Sequence, residues 1–286
     1  MNHANAYKLF LLAAASFAGG GLTVLTGCKN TTSAAEASKT VGPPPTIRIS
    51  ALPQGAPVAN PITDPAWQNT QWYLLVPPSS TPHTTSETRA ALLYDADNLY
   101  VAFVSNKPDQ PAAPDNDIVS VYLDTIGDGT EVVRIDQPSD ASAPTCTWIR
   151  STVTAATREA TAKSSGGLDT AHPIVEIPFV PVKGLTAHTQ NLTTSGASAW
   201  TTVLTIPLQS LPLPLRTSGS PGAHWKVNLL RTTVTGDPNS GSEVLQSNLS
   251  PVYRGGQSRC QYRMAQMVLE SPAATASLGT TAGKGF

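Results

Sequence analysis

Short runs of alternating or β-branched residues, each closed by Pro, Gly, Asn or Asp, constrain this chain more than anything else in it. "TRAALLYD" (88–95) and "NLYVAFVSN" (98–106) flank Ala96-Asp97, a tight hairpin signal. "DIVSVYLD" (117–124) sets Val119, Val121 and Leu123 against Ser120 and Tyr122, the pattern of a half-buried strand. "TEVVRID", "TCTWIRSTV", "AWTTVLTIP", "HWKVNLLRTTV" and "RMAQMVLE" continue the series. No long stretch carries helical periodicity. The one good helix start is "TDPAWQ", where Asp64 caps and Pro65 takes the first helical position, for about one turn. "DQPAAPDN" (109–116) and "LPLPLRTSGSPG" (211–222) read as loops, because proline cannot donate within a central strand. The expectation is an all-β, antiparallel β-sandwich of the jelly-roll or immunoglobulin-like kind.

The ends of the chain read differently. Lys8, the apolar "LFLLAAASFAGGGLTVL" and the small-residue stretch "LTGC" ending at Cys28 resemble a bacterial lipoprotein signal, residues 1–28, with Cys28 as the lipidated residue. An uncleaved helix or an ordinary secretory signal are the alternatives, but three consecutive glycines oppose a stable helix. Residues 29–45 form a polar, Pro-rich tether and 271–286 a similar tail, which leaves one domain over 46–270. Lipidation implies a cell-envelope location, on the outer membrane or cell surface. Only 13% of residues are charged and the net charge is −1, so there is no electrostatic footprint for nucleic acid. No basic run suits an anionic membrane, which leaves the N-terminal lipid as the membrane contact. With Cys28 acylated, Cys146 and Cys260 remain, and an oxidising compartment admits a disulfide between them as readily as two buried thiols.

Residues 115–136, "DNDIVSVYLDTIGDGTEVVRID", hold the densest group of acids. Asp124, Asp128 and Gly129 fit the first, fifth and sixth positions of a calcium loop, but Ile126 and Ile135 stand where two further ligands belong. Turn chemistry at Gly127, Asp128 and Gly129 favours a hairpin. A weaker Ca2+ site drawing on Asp124, Asp128 and Glu131 is the second reading, and catalytic acids the third. Glu159, Glu176, Glu243 and Glu270 are scattered, the histidines are dispersed, and no nucleophile–base arrangement stands out, so an enzyme is not expected.

The order of segments carries a resemblance. "ITDPAWQNTQWYLLV", "TRAALLYDADNLYVAFVSNKPD", "DNDIVSVYLDTIGDG", "AWTTVLTIPLQSL" and "HWKVNLLRTT" follow one another as do the D-x-x-W, LYD…LYVAF, D-x-V-x-V-x-LD, W…IP and W-x-VN-x-x-R elements of family 9 carbohydrate-binding modules. The chain is similar to that family over residues 58–270. The resemblance implies a non-catalytic sandwich that binds a polysaccharide or oligosaccharide such as xylan or glucan, often with calcium, in support of carbohydrate catabolism.

The departures fall at the implied sugar pocket. The family's two clamping tryptophans and a glutamate are replaced by Pro114, Leu249 and Ser120. The arginine of the next strand persists as Arg134, a donor to sugar hydroxyls. Trp148 and Tyr253 are candidate replacement platforms, each equally readable as ordinary packing. Trp67, Trp200 and Trp225 read as core, and Trp72 with Tyr73 as either core or surface. A scaffold lipoprotein with an envelope protein partner is the alternative function. Haem-binding relatives are a third, through Met264 and Met267, although their spacing puts them on opposite faces of a strand.

Overall fold

The computed structural model describes residues 24–25, 42–52, 60–78, 86–107, 117–164, 174–194, 197–213, 224–235, 243–250 and 263–270. Cys28, Pro114, Tyr253 and Cys260, with most of the leader, the tether and the tail, lie outside them. The strands are β1 (Val24–Leu25), β2 (Thr46–Ala51), β3 (Tyr73–Leu74), β4 (Thr88–Tyr94), β5 (Asn98–Asn106), β6 (Asp117–Asp124) and β7 (Glu131–Pro138). They continue as β8 (Thr145–Ser151), β9 (Ile174–Ile177), β10 (Thr186–Thr194), β11 (Ala197–Pro207), β12 (His224–Thr235), β13 (Glu243–Asn248) and β14 (Ala265–Leu269).

Two layers are joined through one strand. The order β1-β9-β8-β7-β6-β12-β14-β2 makes the first, and β2-β4-β5-β11-β10 the second, with β13 on β12 and β3 on β4. Residues 46–49 of β2 pair with β14, and Ser50 and Ala51 pair with β4. A strand that passes from one sheet to the other makes a corner of the sandwich. Both of its pairings are parallel, so the sandwich is mixed rather than wholly antiparallel.

Alternation decides what lies inside. Leu99, Val101 and Phe103 of β5 meet Val119, Val121 and Leu123 of β6, Val133 and Ile135 of β7, and Trp225, Val227 and Leu229 of β12 in the main core. Met267 belongs to that core, while Met264 sits in a second cluster with Tyr122, Val132, Ile149 and Leu230. Both methionines are packing residues on opposite sides of the layer. Trp67 plugs the far side of the second layer against Ala91, Leu93, Tyr100 and Val203, and Trp200 and Trp225 are buried in the main core.

Trp67 is presented by helix α1 (Pro65–Gln68), in which the Asp64 carboxylate accepts from the Ala66 N–H at 3.0 Å and proline occupies the first turn. The capped single turn is as the sequence predicts. Helix α2 (Ala155–Ser164) is not: it has no apolar stripe, but its alanines favour helix, and the Thr154 hydroxyl caps the Thr157 N–H. The proline-rich segment after β11 begins with a 3-10 turn, Leu208–Ser210, and drives Leu208, Leu211 and Leu213 into the open end of the core.

Candidate functional site

The side chains of β6, β7 and β8 that point away from the main core include a hydrogen-bonded polar array beside the apolar cluster of Tyr122, Val132 and Ile149. Ser120 faces Asp136 across β6–β7, Tyr122 faces Arg134, and across β7–β8 Arg134 faces Thr147 and Asp136 faces Thr145. Arg134 Nε donates to Asp136 Oδ2 at 2.9 Å, and its Nη2 lies 3.4 Å from the Thr147 hydroxyl. Glu176 of β9 approaches Nη1 at 3.8 Å. Ser120 donates to the other Asp136 oxygen at 2.6 Å. The Arg134 side chain is 20% exposed. Burial opposes its charge, but the Asp136 carboxylate, with Tyr122 and Glu176, more than offsets that and raises its pKa. Arg134 is thus a fixed, permanently charged fork beside two carboxylates and two hydroxyls, an array that matches groups which both donate and accept.

Asn248 belongs to this face and sequence reasoning missed it. It lies beside Leu230, whose other neighbour is Ser120. Its side chain is fully buried, and neither amide atom has a hydrogen-bond partner among the described residues. Such a group carries a desolvation penalty of about 1–3 kcal/mol. Its backbone is pinned by two bonds to Val76, at 2.7 and 2.8 Å. Nothing in "QSNLSP" alone marks it out; only the burial does. Its neighbour Leu249, where the sequence resemblance leads one to expect a tryptophan, turns into the main core.

Trp148 is not brought to Arg134. It faces Val133 and Ile177 in the register, and period-two alternation puts it on the other side of the sheet from Arg134 and Thr147. There it packs against the main core with the Arg150 guanidinium 4.6 Å above its ring. Trp72 is half-buried and tilts against Trp67, with centroids 6.2 Å apart. The other expected platform, Tyr253, lies outside the described residues.

The acid-rich stretch is a hairpin. Asp124 ends β6 fully buried, and its carboxylate collects three backbone N–H groups of the turn: Ile126 at 3.0 Å, Gly127 at 2.6 Å and Gly129 at 2.8 Å. Gly127 and Gly129 sit at φ 81° and 77°, which only glycine adopts without strain. Burial pushes the Asp124 carboxyl above its usual range, against those hydrogen bonds and Lys226, which pull it down. Asp128 caps Thr130 through both its N–H and hydroxyl, and Glu131 pairs with Arg150 at 3.6 Å. Among the described residues, no group of three or more His, Cys, Asp or Glu side chains is placed to hold a metal ion.

Cys260, the expected partner of Cys146, lies outside the described residues, among which Cys146 is a free, buried thiol. Alternation turns it into the main core, and burial, with the Asp136 charge nearby, pushes its pKa up to about 11 against the pull of Arg134.

No family model matches the sequence, and no curated protein matches it. Solved structures match the fold. One is a family 9 carbohydrate-binding module from Caldicellulosiruptor kristjanssonii in complex with glucose: 14% identity, TM-score 0.47, covering 81% of this chain and 99% of that one. A module from the same organism and family in complex with cellotriose gives 13% identity and TM-score 0.44, covering 80% and 97%. A protein of Bacteroides uniformis ATCC 8492, named as a proposed carbohydrate-binding protein, gives 13% identity and TM-score 0.51, covering 79% and 100%. This chain is similar to that last protein in fold.

Proposed function

We propose that the chain is a non-catalytic carbohydrate-binding module whose site is the Arg134 face of the first sheet. The observation that carries the reading is the Ser120–Asp136–Arg134–Glu176 array, a set of donors and acceptors fixed by hydrogen bonds and ion pairs across β6–β9. Sugar hydroxyls pair with such a surface in both roles, and the shared fold of a protein named for carbohydrate binding supports the assignment. The substrate class of this reading is a β-linked glucan or xylan oligosaccharide, the class that the resemblance of the sequence implies.

Calorimetric titration with cello- and xylo-oligosaccharides tests this, run once with calcium and once with chelator. Binding in the wild type that falls about 10–100-fold in Arg134→Ala supports the site, since charged hydrogen bonds contribute about 1.5–3 kcal/mol. Arg134→Lys keeps the charge without the fork and separates the two contributions. A difference between the calcium and chelator arms would assign the cation a role near the β6–β7 turn. Silence from the folded protein across the panel would favour a protein-interaction role in the envelope instead.

We place the module on the cell envelope, tethered by lipid at Cys28. Cleavage there would remove β1 and leave β9 as the sheet edge, next to Glu176. An acylated Cys28 peptide in the mass spectrum of the mature protein tests the anchor.

A further inference from the structure

The connection from β9 to β10 breaks the sheet register at one residue. Ile177 faces Trp148, and strict alternation would next bring Val180 opposite Thr145. Instead the Val180 N–H donates to the Cys146 carbonyl at 2.9 Å, one residue out of step. Phe179 is the extra residue, a β-bulge of the kind that re-aims a side chain at a sheet rim. The bulge turns Val180 onto the main core and leaves Phe179 outside, 62% exposed.

Two unfavourable features coincide at this position. Phe179 holds φ 57°, a left-handed conformation that is an outlier for a bulky side chain, where glycine would be free of strain. Its ring is also the one aromatic among the exposed large hydrophobic side chains of the described residues. The segment around it is firmly placed. Val180, Val182 and Leu185 pack on the core, the Leu185 N–H bonds to the Val182 carbonyl, and Gly184 sits so close to Pro207 that an added Cβ would lie 3.2 Å from its ring. An observed strain of this kind, in a rigid setting, points towards function.

Phe179 lines a cleft of about 240 Å³ at the sheet rim, with Thr145 and Pro181 on its walls and the core-packed Cys146, Val180, Val182 and Leu185 at its base. Thr145 links that cleft to the polar array, because it faces Asp136 across β7–β8. An exposed apolar ring thus shares a cleft with Thr145, the cross-strand partner of Asp136 in the donor–acceptor array. A pyranose offers the matching pair of features, a C–H face to stack and hydroxyls at its edge.

The geometry points to Phe179 as the stacking platform of the sugar site, supplied by the β9–β10 bulge in place of the tryptophans absent from the family positions. This rests on the proposed carbohydrate reading and extends it to a residue on a different element. Calorimetry on the full chain with the same oligosaccharide panel tests it with Phe179→Ala, Phe179→Gly and Phe179→Trp, beside Arg134→Ala. The expected result is at least tenfold weaker binding for Ala and Gly and retained binding for Trp. The glycine variant should also melt no lower than wild type, since it relieves the left-handed strain, so its lost affinity cannot come from unfolding. Wild-type affinity in Phe179→Ala, with binding lost in Arg134→Ala, would overturn the platform and leave the sugar site standing. No binding by the wild type to any member of the panel would overturn the carbohydrate reading and the platform with it.

Discussion

Asp117 and Arg231 carry a charge pair into one end of the sandwich. Arg231 is completely buried, and its Nε and Nη2 donate to the two Asp117 oxygens at 2.8 and 2.6 Å. Trp200 Nε1 and the Thr233 hydroxyl donate to the same carboxylate, and Arg231 Nη1 reaches Ser86 O and Thr88 Oγ1. Three motif residues from strands β6, β11 and β12 thus meet in one knot, which explains their shared pattern without any ligand. Removing one partner of such a pair leaves a buried charge, so Asp117→Ala should lose about 3–5 kcal/mol of stability in urea unfolding. A cost below about 1 kcal/mol would mean that water reaches the guanidinium. Cys146 gives a second prediction at this scale. Its pKa is raised from 9.0 to about 11, so the folded state favours the protonated thiol. That contribution is intact below pH 9 and is lost as pH rises from 9 to about 11, because the unfolded chain ionises first. The stability of wild type should therefore fall more steeply across that window than that of Cys146→Ala. Parallel curves for the two proteins would contradict it, tyrosine ionisation being common to both.

The β6–β7 hairpin shows what an element gains from one side chain. Asp124 replaces the missing strand partners of three N–H groups in the turn, so Asp124→Ala should cost about 2–3 kcal/mol and loosen amide protection at Gly127 and Gly129 first. Equal loss of protection along all of β6 and β7 would show instead that the turn opens only with the whole sheet. This hairpin was legible in the sequence, because Val119, Val121 and Leu123 alternate cleanly and the glycines mark the turn. So were β4, β5, β11 and β12, whose inner faces carry large apolar residues. β10 was not: "TAHTQNLTT" has no apolar alternation, and as the outermost strand on β11 it is held by pairing rather than burial. Helix α2 escaped for the same reason, with propensity but no stripe. The site divides along a similar line. Arg134 could be read because a motif marks its position. Trp148 falls on the other face because its cross-strand partner is Val133 and not Arg134, a register that the sequence alone does not reveal. Phe179 and Asn248 left no local signal. One depends on a register slip between β8 and β9, the other on burial by distant segments, and neither has a period in the sequence.

At the scale of the whole molecule, β2 determines how the two layers depend on each other. Ile47 and Ile49 are buried in the main core, and the strand that carries them pairs with β14 at one end and β4 at the other. Tyr94 at the end of β4 adds a tie by donating its hydroxyl to the carbonyl of Glu270, just past β14. The layers also share one continuous core, so neither can expose its inner face without exposing the other's. A single cooperative transition is therefore expected, even though the strands of the two layers are far apart in sequence. Ile49→Ala removes buried methylene groups at the shared strand and should cost about 2–5 kcal/mol. Native-state hydrogen exchange distinguishes coupled from independent layers. In a coupled sandwich the slowest amides of β5 and those of β6 lose the same protection in the variant. A loss confined to one sheet would mean that the layers unfold separately, and that β2 is a hinge between two units rather than the seam of one.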